Sequence, residues 1–325
     1  MSLSNVYVVI PNLNGEDYLE DCLDSLEKQT IDVNIVVVDN GSTDDSLSVI
    51  SAYPGIHVIK KSSNTGFTGG VNTGIEYALE NGADAVALLN NDAAAEKDWL
   101  EQLMGEFDNE EIGVATSKIL LADGKHIDST GDFVTVWGVP FPRGRHEVDS
   151  GQYDDKPEVF GASGGASLYR AEMLKEIGLF DDDYFAYLED VDISFRAQAA
   201  GWKVHYAPRA IVYHKLSQTS NALGKDFAFY HFVKNFMLLY ARNMPLKLYL
   251  KYLPLFTIHL ARLGAGSLLR RQITTFIKAV WAAIKLHPKT AAERNKRKKL
   301  RTLTSNELDQ KLVKSLPPRP PKLPD

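Results

Sequence analysis

The sequence predicts an α/β protein in which a mainly parallel sheet, wound with helices, fills roughly the first two thirds and a mostly helical, basic extension follows. Three observations carry this expectation. Short apolar runs alternate with stretches of helical spacing, several of those runs stop on a carboxylate or an amide, and the charge is divided sharply along the chain. With 325 residues, 44% of them hydrophobic, there is material for one large core and an appendage.

Val6 to Ile10 (VYVVI) has the continuous apolar pattern of a strand buried on both faces and ends at Pro11-Asn12. Tyr18 to Gln29 places Leu19, Cys22, Leu23 and Leu26 on one helical face. Ile35 to Asp39 (IVVVD) is a second strand, ending on a carboxylate before the turn Asn40-Gly41-Ser42, so that strand, helix and strand form a βαβ unit. A third strand near Ile56 to Lys60 runs into Asn64-Thr65-Gly66-Phe67-Thr68-Gly69-Gly70 and a helix reaching about Asn81. Those glycines either offer backbone N–H groups to a phosphate or simply permit the turn. They match neither GxGxxG nor GxxxxGK[ST], which argues against nicotinamide hydride transfer and P-loop chemistry.

The fourth strand belongs to Ala85 to Asp92, AVALLNND, an apolar run closed by two amides and a carboxylate. In a parallel sheet this polar end lies where ligands bind. Asp92 there can ligate a hard cation shared with a diphosphate, or cap a helix starting near Ala93 or Asp98. Asp39, at the end of its own strand, is placed to accept from a base N–H or a ribose hydroxyl. Val114 to Leu121 is a further strand. Ala122 to Val159 is rich in Gly, Pro and charge, and its Trp137 and Phe141 lie between hairpin-like pieces of an insertion expected to face an acceptor.

The ordered set VVIPNLNGEDYLEDCLDSL, VVVDNGSTDDS, NTGFTGGVNTGIEYAL and LLNNDAAAEKDWL resembles family 2 glycosyltransferases of the GT-A fold, a Rossmann-like nucleotide-diphospho-sugar transferase architecture. The nearest subgroup is the non-processive, rhamnosyltransferase-like members, and the resemblance runs from about Val6 to His214. It implies a nucleotide-sugar donor lying across the strand ends. The nucleotide side would be formed by Pro11, Asn12, Asn14, Asp39, Asn64, Gly66, Asn90 and Asn91. It also implies that Asp92 closes a DxD-type motif for Mg²⁺ or Mn²⁺. The motif here is Asn90-Asn91-Asp92, with one carboxylate, although an amide oxygen can still coordinate or reach a ribose.

Phe160 to Arg170 brings a second glycine cluster, in which Gly164 and Gly165 let a backbone approach a sugar closely. Glu189, Asp190 and Asp192 then open a helix expected to be amphipathic, with Ile193, Phe195 and Ala197 inward and Arg196 paired to Asp192. Tyr187 precedes the acids on the acceptor side. Inverting transfer needs one base to take the acceptor proton. In the resembled family that base is the second acid of the ED pair, here Asp190, with Glu189, Asp192 and Arg196 supporting it. The family also places a metal-ligating histidine after the next strand, a position His214 fits. The QxxRW signature of processive synthases is absent, which favours transfer of a single sugar.

From Arg242 to the end there are 19 Lys and Arg against 4 Asp and Glu, while the rest of the chain is strongly acidic. Apolar and aromatic residues interleaved with Lys247, Lys251, Arg262, Arg270, Arg271, Lys278 and Lys285 suit helices lying on an anionic membrane surface, and Arg294 to Arg301 adds a polybasic run. The competing account is a helical subdomain or homodimer interface with a solvated basic face. No nucleic-acid recognition module accompanies the charge. The expected division is therefore 1–225 as the transferase domain, 226–303 as a basic membrane-associating extension, and 304–325 as a disordered Pro-rich tail. The single cysteine and the lack of a secretory signal pattern point to the cytoplasm, peripheral at the inner face of the cell membrane. The expected activity is inverting transfer from dTDP-rhamnose or a UDP-sugar to a saccharide or polyprenyl-linked acceptor in cell-surface polysaccharide synthesis. The alternative is a catalytically weak nucleotide-sugar-binding scaffold at the membrane.

Overall fold

A computed structural model describes residues 3–215 and 224–323. Residues 216–223, just before the boundary expected at 225, lie outside that description, as do the two residues at each end. The first half alternates strongly: β1 (Val6–Asn12), α1 (Leu19–Glu27), β2 (Asn34–Asp39), α2 (Ser46–Ser51), β3 (His57–Lys60), α3 (Gly66–Glu80) and β4 (Ala85–Leu89). Then come β5 (Ala93–Ala95), α4 (Trp99–Gly105), β6 (Ile112–Leu121), β7 (Ile127–Ser129), β8 (Asp132–Val134) and β9 (Pro140–Pro142). They are followed by β10 (Ala166–Arg170), α5 (Ala171–Ile177), α6 (Glu189–Ala200) and β11 (Lys203–His214). The extension is helical: α7 (Lys225–Asn243), α8 (Leu246–Leu269), α9 (Ile273–Lys285), α10 (His287–Leu300) and α11 (Ser305–Lys311).

The main sheet runs β3-β2-β1-β4-β10-β6-β11-β5, with β7 on β6. The strands β3, β2, β1 and β4 are mutually parallel, so their carboxyl ends share one edge and Asn12 stands opposite Asp39. The antiparallel β10 enters beside β4 with Ala166 against Leu89, which brings the preceding glycine turn to the same edge. At the far side β11 ends with His214 against Ala93. Two distant segments thus deliver Asp92 and His214 to one place through strand register alone.

Apolar layers cover both faces of the sheet, which is why β1, β2 and β4 read as nearly continuous apolar runs. Val8, Ile10, Val37 and Leu89 pack with Leu23 and Leu26 of α1 and with Trp99 and Leu103 of α4. Val9, Val38 and Leu88 face Val71 and Ile75 of α3 and Ile193 and Ala197 of α6. A third cluster joins Val191 and Phe195 of α6 to Phe236, Tyr240 and Phe256 of the extension. Cys22 is a buried thiol in the first of these layers.

Four expectations need correction. Asp92 caps no helix, because residues 93–95 form β5 and the next helix starts at Trp99. Helix α6 is not amphipathic: every residue from Val191 to Ala200 is buried, since the sheet covers one side and the extension the other. The segment after Thr304 is not a disordered tail throughout. Thr304 caps α11 in a reciprocal capping box with Glu307, Leu308 and Leu312 are buried, and Val313 pairs with the backbone of Val134 and Val136. Finally, the basic charge of the extension is not all free. Arg242 and Arg297 are buried and ion-paired with Asp181, Asp183 and Asp192 of the body.

Candidate active site

The shared sheet edge opens into a cleft of about 440 Å³. Its floor on the β1 side is a chain of amides: Asn91 Nδ2 donates to Asn12 Oδ1 at 2.8 Å, and Asn12 Nδ2 donates to Asp39 Oδ1 at 3.2 Å. On the α3 side Asn40 Nδ2 donates to Asn64 Oδ1 and to the Gly66 carbonyl, and Gly66 N donates back to Asn64 Oδ1. Gly66 has φ +80°, and a Cβ there would lie 2.4 Å from the Phe185 carbonyl oxygen, so only glycine fits.

The glycine turn before β10 ties the two halves of the site together. Gly164 N donates to Asp190 Oδ2 at 3.0 Å, and Asn90 N donates to the Gly165 carbonyl at 2.9 Å. A Cβ on Gly164 would touch Asp190 Cβ at 3.3 Å and one on Gly165 would touch Asn90 Nδ2 at 3.1 Å, so the turn is wedged between the end of β4 and the start of α6. Asp190 is partly buried and faces the cleft. Burial raises its carboxyl above the usual range against the opposing pull of the Gly164 and Val191 N–H groups. Glu189 is buried with Oε2 unpartnered among the described residues, and burial, then the Asp190 charge, hold its carboxyl well above the ordinary value.

Across the cleft, His214 Nε2 lies 3.1 Å from Asp92 Oδ1 while Nδ1 lies 2.9 Å from Asp128 Oδ2. Burial alone would lower the imidazole pKa, but the bonds to Asp128 and Asp92 and their charges outweigh it and lift it to about 9. Among the described residues no group of three or more His, Cys, Asp and Glu is disposed as a metal site. The Asp92–His214 pair nevertheless fits part of one. Two ligand atoms at right angles on a cation with bonds of about 2.1 Å are about 3 Å apart. A carboxylate on the far nitrogen of a ligating imidazole is the usual orienting partner, and Asp128 stands there.

The expected residues divide. Pro11, Asn12, Asn64, Gly66, Asn90, Asn91, Asp92, Gly164, Gly165, Tyr187, Glu189, Asp190 and His214 line one cleft. Asp39 does not: it is 2% exposed and its carboxylate is taken up by Asn12 and Ser42 N. Asn14 turns away in a left-handed conformation, accepting from Thr43 N. Asp192 and Arg196 form their ion pair at 3.0 Å behind the cleft. Trp137 is half-buried against the aromatic cluster of α7 and α8 and is not on the cleft wall, whereas Phe141 of the same insertion is. Sequence reasoning missed Asn40, Asp128, Asp132 and Arg145, and Phe227 and Phe232 of α7. Asp128 and Asp132 sit in an insertion without periodicity, so only the pairing of β7 with β6 and of Asp132 with Gly161 reveals them. Burial, then the charges of Asp190 and Asp128, push the Asp132 carboxyl up to about 8.

A parallel half-sheet, an antiparallel strand bringing in a second glycine turn, and a cleft at the carboxyl edge define the GT-A architecture. Solved structures bear this out. The chain aligns with Staphylococcus aureus TarS 1-349 in complex with UDP-GlcNAc at a TM-score of 0.57 and 18% identity, covering 95% of this chain and 93% of that one. It aligns with the mannosyltransferase PcManGT from Pyrobaculum calidifontis, in complex with GDP-Man and Mn²⁺, at 0.54 and 16%, covering 86% of each. Against a longer TarS chain it spans 43% of that chain's length, with a TM-score of 0.53 and 18% identity over 78% of this chain. In sequence it is 28% identical over 247 residues to the N-acetylglucosaminyl-diphospho-decaprenol L-rhamnosyltransferase of Mycobacterium tuberculosis, covering 69% of this chain and 80% of the relative. It is 24% identical over 215 residues to the rhamnosyltransferase WbbL of Escherichia coli, covering 62% and 80%. Residues 7–178 match the model of glycosyl transferase family 2, and the chain belongs to that family.

Proposed function

We propose that this glycosyltransferase moves a single sugar, with inversion, from a nucleotide-sugar donor to a lipid-linked saccharide acceptor at the inner face of a membrane. The observation that carries the reading is the Gly164–Gly165 turn, which joins the Asn90-Asn91-Asp92 end of β4 to Asp190 in one cleft. Asp190 takes the proton of the acceptor hydroxyl as that oxygen bonds to the anomeric carbon. The bond from that carbon to the diphosphate oxygen breaks, and the nucleoside diphosphate leaves. A carboxyl raised by burial suits a base working near neutral pH. Asp92 and His214 would hold Mg²⁺ or Mn²⁺, with remaining ligands from the diphosphate and water. The cation, when bound, offsets the charge that builds on the leaving group.

Support for dTDP-rhamnose or a UDP-sugar comes from the rhamnosyltransferase relatives and from the UDP-GlcNAc complex of TarS. Support for a polyprenyl diphosphate acceptor comes from the decaprenol relative and from Phe141, Phe227 and Phe232 on the cleft wall. A role in cell-surface polysaccharide synthesis is part of the same proposal and follows from a rhamnosyl-type transfer onto a polyprenyl-linked saccharide. The membrane reading draws on exposed apolar residues of α8 and α9 set among cations, and no described helix is long and apolar enough to cross a membrane.

A turnover screen of UDP-, dTDP- and GDP-sugars with Mg²⁺, with Mn²⁺ and with chelator tests the reading. We expect cation-dependent turnover of one donor and a fall of about 10²–10⁴-fold in Asp190→Asn. Equal rates in wild type and Asp190→Asn remove Asp190 as the base. The second reading, a nucleotide-sugar-binding scaffold, is favoured by the amide-rich Asn90-Asn91-Asp92 motif, and it predicts donor binding with no turnover on any acceptor.

A further inference from the structure

We propose that Arg145 is the diphosphate-binding guanidinium of the donor site, gripping the leaving group beside the Asp92–His214 pair. The assignment rests on the donor reading above. Its starting point is a charge imbalance. The cleft wall carries the carboxyl groups of Asp92, Asp128, Asp132, Glu189 and Asp190, while Arg145 is the one Lys or Arg that lines it among the described residues. A doubly charged diphosphate in this cleft meets the carboxyl groups of Asp92 and Asp128 at close quarters, and a planar guanidinium is the side chain that meets phosphate oxygens through two parallel hydrogen bonds.

The position is right for the bond that breaks. Arg145 Nη1 lies 3.2 Å from Asp128 Oδ1, Asp128 Oδ2 is 2.9 Å from His214 Nδ1, and His214 Nε2 is 3.1 Å from Asp92 Oδ1. One line of groups thus runs from the guanidinium to the carboxylate at the end of β4. The contact with Asp128 is an ion pair without hydrogen-bond geometry, for Asp128 Oδ1 has no hydrogen-bond partner among the described residues. The donors of Arg145 therefore remain available for a ligand, and its side chain is 39% exposed.

The backbone that presents Arg145 is built rather than slack. Gly144 and His146 on either side both have positive φ, +76° and +65°, an expensive conformation for histidine. Arg143 N donates to the Gly131 carbonyl and His146 N to the Ile127 carbonyl, pinning the turn to β7 and the start of β8. Arg143 points the other way, bonded to Thr130 and stacked between Tyr153 and Tyr206. Two neighbouring arginines therefore have opposite duties: one anchors the turn and the other is held out to the cleft.

The test compares Arg145→Met and Arg145→Lys with wild type by calorimetry in Mn²⁺, using UDP, dTDP and GDP, and then the monophosphate of whichever binds best. We expect Arg145→Met to raise the diphosphate Kd about tenfold or more, to leave the monophosphate Kd within twofold, and Arg145→Lys to recover part of the loss. An unchanged diphosphate Kd overturns the assignment. So does an equal loss for mono- and diphosphate, which marks a structural role, and so does an unchanged nucleotide Kd with a raised KM for a polyprenyl diphosphate acceptor, which moves Arg145 to the acceptor's phosphates. Failure of the wild type to bind any of the three diphosphates removes the donor site itself, and this assignment with it.

Discussion

Asp190 and Asp192 sit two residues apart on one helix and have opposite environments. Asp190 faces the cleft, and among the described residues its carboxylate accepts only from the backbone N–H groups of Gly164 and Val191. Asp192 has no exposed surface, and it accepts from Tyr184 Oη, Arg196 Nε, Asn243 Nδ2 and Arg297 Nη1. Burial raises the first carboxyl. Burial also pushes the second up, but Arg297 and Arg196 outweigh it and hold it well below the carboxylate range. A group that must take up a proton needs a raised and uncommitted carboxylate, whereas a group that must hold two parts of a chain together needs a permanent anion with every lone pair engaged. Under the proposed reaction the helix turns one face to each task. The extension is consequently tied to the body by ion pairs: Arg297 links Asp192 to Asp181, and Arg242 links Asp181 to Asp183.

The largest effect should come from breaking that tail-side contact. Arg297→Met leaves Asp192 buried with one counter-charge fewer, and it should cost about 3–5 kcal/mol of unfolding free energy in denaturant titration. The neighbouring Lys298→Met, on an exposed side chain, should stay within about 0.5 kcal/mol. Equal effects at the two positions would mean that the polybasic run is a uniform solvated face, and the contrast drawn from the two aspartates would fail.

The pH dependence of stability sharpens the same contrast at intermediate cost. Asp192 has a depressed carboxyl, so its contribution is present above the ordinary value of 3.8 and is lost as pH falls below it. Asp132, on the cleft side, is raised to about 8, so its contribution is present below 3.8 and is lost as pH rises through about 8. The chain should therefore be destabilised at both ends, by different faces of the site. Asp132→Asn should reduce the loss between pH 5 and pH 8.5 by on the order of 1–3 kcal/mol, with the acid limb unchanged. An unaltered loss in that variant would show that Asp132 ionises freely in the cleft.

What the sequence made legible follows the reach of its signals. Strands β1, β2 and β4 were readable because burial on both faces leaves nearly continuous apolar runs, and Asn90, Asn91 and Asp92 were readable as the polar stop to one of them. Asp190 and His214 were placed through motif order; the Gly164 contact then holds Asp190 at the cleft, and strand register brings His214 there. The contact of Arg297 with Asp192 spans 105 residues and that of Asp128 with His214 spans 86, distances at which neither periodicity nor spacing carries information. The same blindness explains Trp137. An aromatic residue between hairpin strands looks exposed when the partner that covers it, the α7–α8 aromatic cluster, lies a hundred residues downstream. Net basic charge misled in a related way, since composition counts a buried, paired Arg242 and a solvated Lys278 alike.

The smallest effect concerns the cations that the body does not use. On α9, Ile277, Trp281 and Ile284 recur at one helical face and are each at least 50% exposed, and Leu269 just before that helix is 87% exposed. Lys278 and Lys285 are exposed on the same helix, with Lys285 Nζ 5.7 Å from the Trp281 ring centre. Exposed apolar side chains set beside Lys278 and Lys285 fit a shallow seat in an anionic leaflet rather than a solvated face. Trp281→Ser combined with Lys278→Glu should weaken sedimentation with phosphatidylglycerol vesicles about tenfold, leave the weaker binding to phosphatidylcholine vesicles less affected, and leave the denaturation midpoint in place. Added salt should release the wild type from the anionic vesicles. Unchanged vesicle binding in the double variant would confine the extension to the role that Arg242 and Arg297 already give it, and a covering partner for the apolar face would then have to be another protein surface.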